Sequence, residues 1–161
     1  MRKIWILALM ITPLLFAQDD ASGRHCQAVG GAISTNFLDK TDTLGTATGD
    51  LRGALGVHVI SIKTEQNGTI ILHNHHHWVT EPGDTILFDN ADATLFPTDV
   101  SGLYAASYIK GVTIIGGTGR FDGATGKLTA TFGAVDLTKG QVVLRYEGRV
   151  CFAQSSDSQT Q

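Results

Sequence analysis

Glutamate is scarce in this chain of 161 residues: Glu65, Glu81 and Glu147 stand alone against twelve aspartates. Charged residues of all kinds reach only 17%, where ~25% is usual. Lysine is sparse too, so the good helix formers are thin on the ground and the composition leans away from helix. Proline, at 3 residues, is too rare for a collagen-like chain or a Pro-rich linker, although Gly reaches 19. No run of like charge interrupts the net charge of −3, which argues against a nucleic-acid partner. No apolar run attains the ~20 residues of a transmembrane helix. What is present points to strands and turns: Thr equals Gly in number, and Asp, Gly and Thr suit β-structure and its connections. Hydrophobic residues, at 42%, suffice to bury a core, which excludes a disordered chain. The length fits one domain.

Arg2 and Lys3 precede an apolar run from Ile4 to Phe16, and the small Ala17 then leads into Gln18 and two aspartates. That is the layout of a secretory signal, read here as residues 1–17, followed by a leader at 18–25. Its removal would leave 10 basic against 15 acidic side chains, a charge of −5, in a secreted or periplasmic protein without a membrane span. Cys26 and Cys151 lie at opposite ends of the remaining domain, 26–152, with a polar tail at 153–161. In an oxidising compartment they form a natural pair that ties first strand to last; two buried free thiols are the alternative.

The chain reads as strands almost throughout. Leu55 to Thr64 is rich in β-branched residues, Asn67-Gly68 signals a two-residue hairpin turn, and Thr69 to Thr80 returns. Pro82-Gly83 turns into Thr85 to Asp89; Asn90 to Ser107 reads as a long connection. Further strands are expected at Tyr108 to Ile115, from Lys127, and at Gln141 to Phe152, with an earlier pair near Ala28 to Asn36 and Thr43 to Leu51. About eight short antiparallel strands suit a sandwich or a closed barrel. Nucleophile-elbow, zinc-helix and Walker motifs are missing, and Gly116 to Gly119 is followed by strand-like sequence rather than by the helix a dinucleotide loop needs.

The segment Gly116-Gly117-Thr118-Gly119-Arg120-Phe121-Asp122-Gly123-Ala124-Thr125-Gly126 resembles the glycine-rich segment of the allene oxide cyclase-like and dirigent-like barrel proteins. Looser similarity runs through Gly45 to Leu51, Gly83 to Ile86 and Val143 to Cys151. The resemblance implies an all-β, eight-stranded antiparallel β-barrel with a partly apolar cavity, and a trimer or dimer as homo-oligomer. It places no catalytic residue on this chain, so a cyclase or isomerase activity is implied only at the level of the family.

One local cluster carries chemistry of its own: His73-Asn74-His75-His76-His77-Trp78. Strand side chains alternate faces, so His73, His75 and His77 share one face and Asn74, His76 and Trp78 the other. A two-residue hairpin loop sets His58 opposite His77, Ile60 opposite His75 and Ile62 opposite His73. A second register, through Pro82-Gly83, sets Phe88 beside His77, Asn90 beside His75 and Asp92 beside His73. His58, His75 and His77 then stand close enough to share Zn²⁺ or Cu²⁺, which an H-x-H pair with a third imidazole suits. A His-rich wall or a pH-responsive surface is the plainer alternative. The face holding Ile60, Ile62, Ile71 and Val79 is the more continuously apolar, so the histidines are expected inside. On that reading Ile60, Ile62, His73, His75, His77 and Phe88 line a cavity for a small, mainly apolar molecule. Two other readings stay open: a His-metal or cyclase-type enzyme, and a structural oligomeric module.

Overall fold

A computed structural model describes residues 18–19 and 24–153 of the chain. The expected signal at 1–17 and the tail from 154 onward lie outside the described residues. In chain order the elements are β1 (Gln18–Asp19), β2 (His25–Phe37), β3 (Asp42–Ala47), β4 (Gly53–Thr64), β5 (Ile70–Thr80), β6 (Thr85–Phe88), β7 (Ala91–Pro97), β8 (Leu103–Ser107) and β9 (Val112–Gly117). A 3₁₀ turn at Gly119–Phe121, β10 (Thr125–Asp136) and β11 (Gln141–Phe152) complete the order. Every pairing is antiparallel, and β11 returns to β2 from Gln141↔Asn36 to Phe152↔His25, closing an eight-stranded barrel. β6 with β7, and β8 with β9, each make one interrupted stave, since β5 pairs with both members of the first and β10 with both of the second. Among the described residues no helix is long and apolar enough to cross a membrane.

The connection expected at Asn90 to Ser107 is largely strand. Ala91, Ala93 and Leu95 alternate inward, but alanine is a weak strand former and Pro97 ends the element, so the period was masked. The hairpin loop is also longer than Asn67-Gly68 suggests. Glu65 and Thr69 pair across Gln66, Asn67 and Gly68, with Gly68 at φ +84°. A three-residue loop of this kind shifts the ladder by one residue, so Ser61, not Ile62, faces His73. A bulge at Ile60 then shifts it again, and His58 faces His75 rather than His77.

The two ends of the barrel differ. At the end where β3 leads into β4, the connection 48–52 folds over the opening and Leu51 is fully buried. Two aromatic side chains clamp it: Trp78 Nε1 donates to Leu51 O at 2.7 Å, while Tyr146 Oη accepts from Leu51 N at 3.0 Å and donates to Thr48 O at 2.9 Å. Gly31 is required beneath this clamp, because a Cβ there would stand 1.9 Å from Thr48 O and 2.7 Å from Tyr146 Oη. The glycine-rich segment serves the same end, its 3₁₀ turn burying Phe121, with Gly119 at φ +56° and Gly123 at +62° making the tight connection. At the opposite end Phe37, Leu72 and Val142 are only half-buried. One end is plugged and the other forms a mouth.

Cys26 and Cys151 form the expected disulfide, at directly paired positions of β2 and β11 and 125 residues apart in sequence. A covalent loop of that length contributes ~4–5 kcal/mol in the chain-entropy account. The Cys26→Ser/Cys151→Ser double variant should therefore lose roughly that much in chemical denaturation, with its strand signature in circular dichroism retained. An unchanged denaturation midpoint would show that the ladder alone holds the seam.

Candidate binding cavity

Alternation along each stave decides what points inward. On β5 the buried positions are Asn74, His76, Trp78 and Thr80, paired with Val59, Val57, Leu55 and Gly53 of β4. The inner wall thus carries Val57, Val59, Leu72 and Trp78, and the odd-numbered residues of β5 point out. The expected facing is reversed: Ile60, Ile62, His73, His75 and His77 are on the outer surface, Ile62 being 57% exposed. Trp78 explains the choice, since burying its large ring beside Phe88 and Tyr146 outweighs burying Ile60 and Ile62. Phe88 does line the cavity, although not beside His77. β6 pairs Ile86 with Trp78, which turns Phe88 inward against the rings of His76 and Trp78.

Inside lies a cavity of ≈ 70 Å³, several times the ~10–15 Å³ that one water needs on the same measure. Its wall is mainly apolar, from Trp78 and Leu128 to Phe37 and Val142 at the mouth, and it includes no Asp, Glu, Lys or Arg. Three polar side chains interlock within it. Asn74 Nδ2 donates to Tyr108 Oη at 2.9 Å, and His76 Nε2 lies 2.8 Å from the same oxygen. Tyr108 sits where the β8–β9 stave is interrupted, its backbone N–H bonded to Thr131 O at 3.0 Å.

Proton counting fixes the roles. Burial pushes the Tyr108 hydroxyl up to about 12, so it keeps its hydrogen. Burial, with smaller contributions from His75 and His77, pushes His76 down to about 4, so the imidazole is neutral at pH 7. Tyr108 already accepts from Asn74, and its one hydrogen goes to His76 Nε2. His76 therefore carries its proton on Nδ1. Among the described residues that Nδ1 has no hydrogen-bond partner, and neither have Asn74 Oδ1, Thr43 Oγ1 and Thr131 Oγ1. All four residues are buried and line the cavity. Leaving such atoms unpaired costs ~1–3 kcal/mol each.

The outer histidines form a separate arrangement. His58 Nδ1 contacts Asp42 Oδ1 at 2.9 Å, His75 Nδ1 contacts Asn90 Oδ1 at 2.9 Å, and His73 Nδ1 contacts Asp92 Oδ1 at 2.8 Å. The expected pairing of His73 with Asp92 and the nearness of His75 to Asn90 are both present. The rings of His75 and His77 pack edge to face at 4.6 Å. Among the described residues no group of three or more His, Cys, Asp or Glu side chains is placed to hold a metal ion. His58, His75 and His77 share a face without being gathered around a centre, and no Zn²⁺ or Cu²⁺ chemistry is derived from them.

The buried polar set, Thr43, Asn74, His76, Tyr108 and Thr131, was not singled out from sequence. A signal did exist: Asn74 and His76 alternate with the histidines on the same parity as Leu72 and Trp78, which marks polar groups on an apolar face. No family model, curated protein or solved structure matches this chain. The site is therefore read from its own geometry.

The unfolded chain takes up a proton at His76 near pH 6.5, the native barrel only near pH 4. Acidification between these values favours the unfolded state, so stability present above pH 6.5 is lost progressively down to pH 4, by on the order of 3 kcal/mol. Denaturation of wild type and His76→Phe across this range should show the extra slope in wild type alone. Parallel pH profiles would contradict a buried, neutral His76.

Proposed function

We propose that this protein is a secreted β-barrel that binds a small, mainly apolar molecule in its cavity through the mouth at the Phe37, Leu72 and Val142 end. The observation that carries the reading is an apolar-walled cavity of ≈ 70 Å³ whose lining includes the buried polar side chains of Asn74, His76, Thr43 and Thr131 and no charged one. Apolar walls with a few placed polar groups are the general design of small-molecule sites. The disulfide fits an oxidising compartment. The resemblance of the glycine-rich segment to allene oxide cyclase-like and dirigent-like barrels points the same way, towards a barrel with a ligand inside. Binding is favoured over acid–base catalysis by the tuning of the groups. A histidine near 4 and a tyrosine near 12 are each far from the neutral range in which proton transfer is efficient.

The test is the uncharged dye N-phenyl-1-naphthylamine, whose emission rises and shifts to the blue in apolar surroundings. Wild type should bind it saturably, and Ala106→Phe, which fills the cavity from β8, should weaken binding by roughly tenfold or more. Dye binding that ignores Ala106→Phe would place the dye elsewhere and sink the reading.

A second reading, self-association, rests on a different surface. Phe96, Ala105, Ala134 and Val143 follow one another across β7, β8, β10 and β11 on the outside, with the exposed Phe132 beside Ala134. A contiguous apolar band of this kind marks contact surfaces. Sedimentation should show an oligomer that Phe132→Asp dissociates; a wild-type monomer at high concentration would end this reading.

A further inference from the structure

Exposed aliphatic side chains are spread unevenly over the connections between staves. Among the described residues at the plugged end, the connections 48–52, 81–84 and 118–124 hold no exposed large hydrophobic side chain, and their Leu51 and Phe121 are buried. At the mouth, three of the four connections carry one each: Leu38 in 38–41, Val100 in 98–102 and Leu137 in 137–140, exposed by 67%, 60% and 44%. The same three connections are neighbours around the rim. Leu137 N donates to Gly102 O and Phe37 N to Gly140 O, both at 2.8 Å, so backbone bonds stitch them into one arc.

The arc is also braced from within. Asp39 Oδ1 accepts from Thr41 N and Asp42 N, and Asp136 Oδ1 accepts from Thr138 N and Lys139 N. Thr98 Oγ1 accepts from Val100 N and donates to Leu103 O. Connections ordered in this way lose little further freedom when a partner covers them. The arc runs directly into the cavity: Phe37, which precedes Leu38, and Val142, two residues past Gly140, both line it.

Two features of the rim choose its partner. The mouth connections contain none of the Trp, Tyr or Arg anchors that carry most protein–protein contacts; their exposed apolar groups are aliphatic tips set among small polar residues. A fluid apolar phase accepts such tips without a matched shape. Charge then selects the kind of lipid. The four connections hold Lys40 and Lys139 against Asp39, Glu65 and Asp99, so no basic surplus draws the rim to anionic headgroups.

We propose that the mouth docks on a zwitterionic lipid surface, with Leu38, Val100 and Leu137 inserted at the boundary between headgroups and acyl chains. The docking stands on the rim alone. Its purpose, loading an apolar molecule from lipid into the barrel without passage through water, rests on the cavity being the binding site proposed above.

Co-sedimentation with phosphatidylcholine vesicles tests the docking, using protein exported by its expression host and shown by mass to lack residues 1–17. Wild type should bind saturably, and Leu38→Gln/Val100→Thr/Leu137→Gln should need about tenfold more lipid or beyond. Replacing roughly a third of the lipid by phosphatidylglycerol at physiological salt should move the wild-type midpoint by less than about threefold. Phe132→Asp, on the side wall, should stay within about twofold of wild type. In free solution the triple variant should bind N-phenyl-1-naphthylamine within about threefold of wild type, which shows its fold and cavity intact. Wild type that ignores phosphatidylcholine, binding that appears only with phosphatidylglycerol, or a triple variant that binds as wild type does overturns the docking. So does a wild-type oligomer that the triple variant abolishes, since a second copy would then cover the rim. Dye that fails to enter wild type in free solution overturns the loading and leaves the docking in place.

Discussion

Closure of the sheet, β11 onto β2 along the whole of both strands, is the constraint from which the rest of this structure follows. A closed ladder has no edge, so each stave is held on both sides and its side chains alternate between interior and solvent except at the bulges in β4 and β10. Slippage of one stave would move all its residues to the wrong face, and the Cys26–Cys151 bond between directly paired positions fixes the seam against it. Once the ring is closed, every inward position must be filled, paired or left facing a cavity.

The barrel resolves that demand differently at its two ends. At the plugged end Trp78 Nε1 and Tyr146 Oη bind the backbone of the 48–52 connection and lock Leu51 beneath them. Higher up the same β5 stave, Asn74 and His76 bind only each other's partner, Tyr108, and each keeps one polar atom unpaired. The plug gives rigidity at one end, and the half-buried rim of Phe37, Leu72 and Val142 gives access at the other.

Much of the architecture was legible in the sequence for identifiable reasons. Val143 to Cys151 alternates charged and apolar residues, and the structure leaves Arg145, Glu147 and Arg149 outside as that pattern implies. The disulfide followed from two cysteines at the ends of the domain; the pairing of His73 with Asp92 is present although the Pro82-Gly83 turn sets β6 one residue away from the expected register, because the break between β6 and β7 restores it. The facing of β5 did not follow, because the histidine strand has apolar residues on both parities. Its orientation is decided by what lies across the barrel, above all the space for Trp78 between Phe88 and Tyr146. The hairpin register escaped for a local reason: one extra loop residue and a bulge at Ile60 leave no mark that Asn67-Gly68 does not override. Tyr108 was expected to open a strand, but its polar role was not legible, since it depends on contacts with Asn74, His76 and Thr131, each more than twenty residues away in sequence.

The central claim is that His76 is a buried, neutral imidazole held through Nε2 by Tyr108, with its proton on Nδ1. Long-range ¹H–¹⁵N correlation spectra of the histidine side chains test it directly. The account predicts one histidine that remains the Nδ1–H tautomer from pH 7.5 to pH 5, and whose distinctive signals vanish in His76→Phe. A His76 that titrates near its ordinary value of 6.5, or that carries its proton on Nε2, would contradict the account.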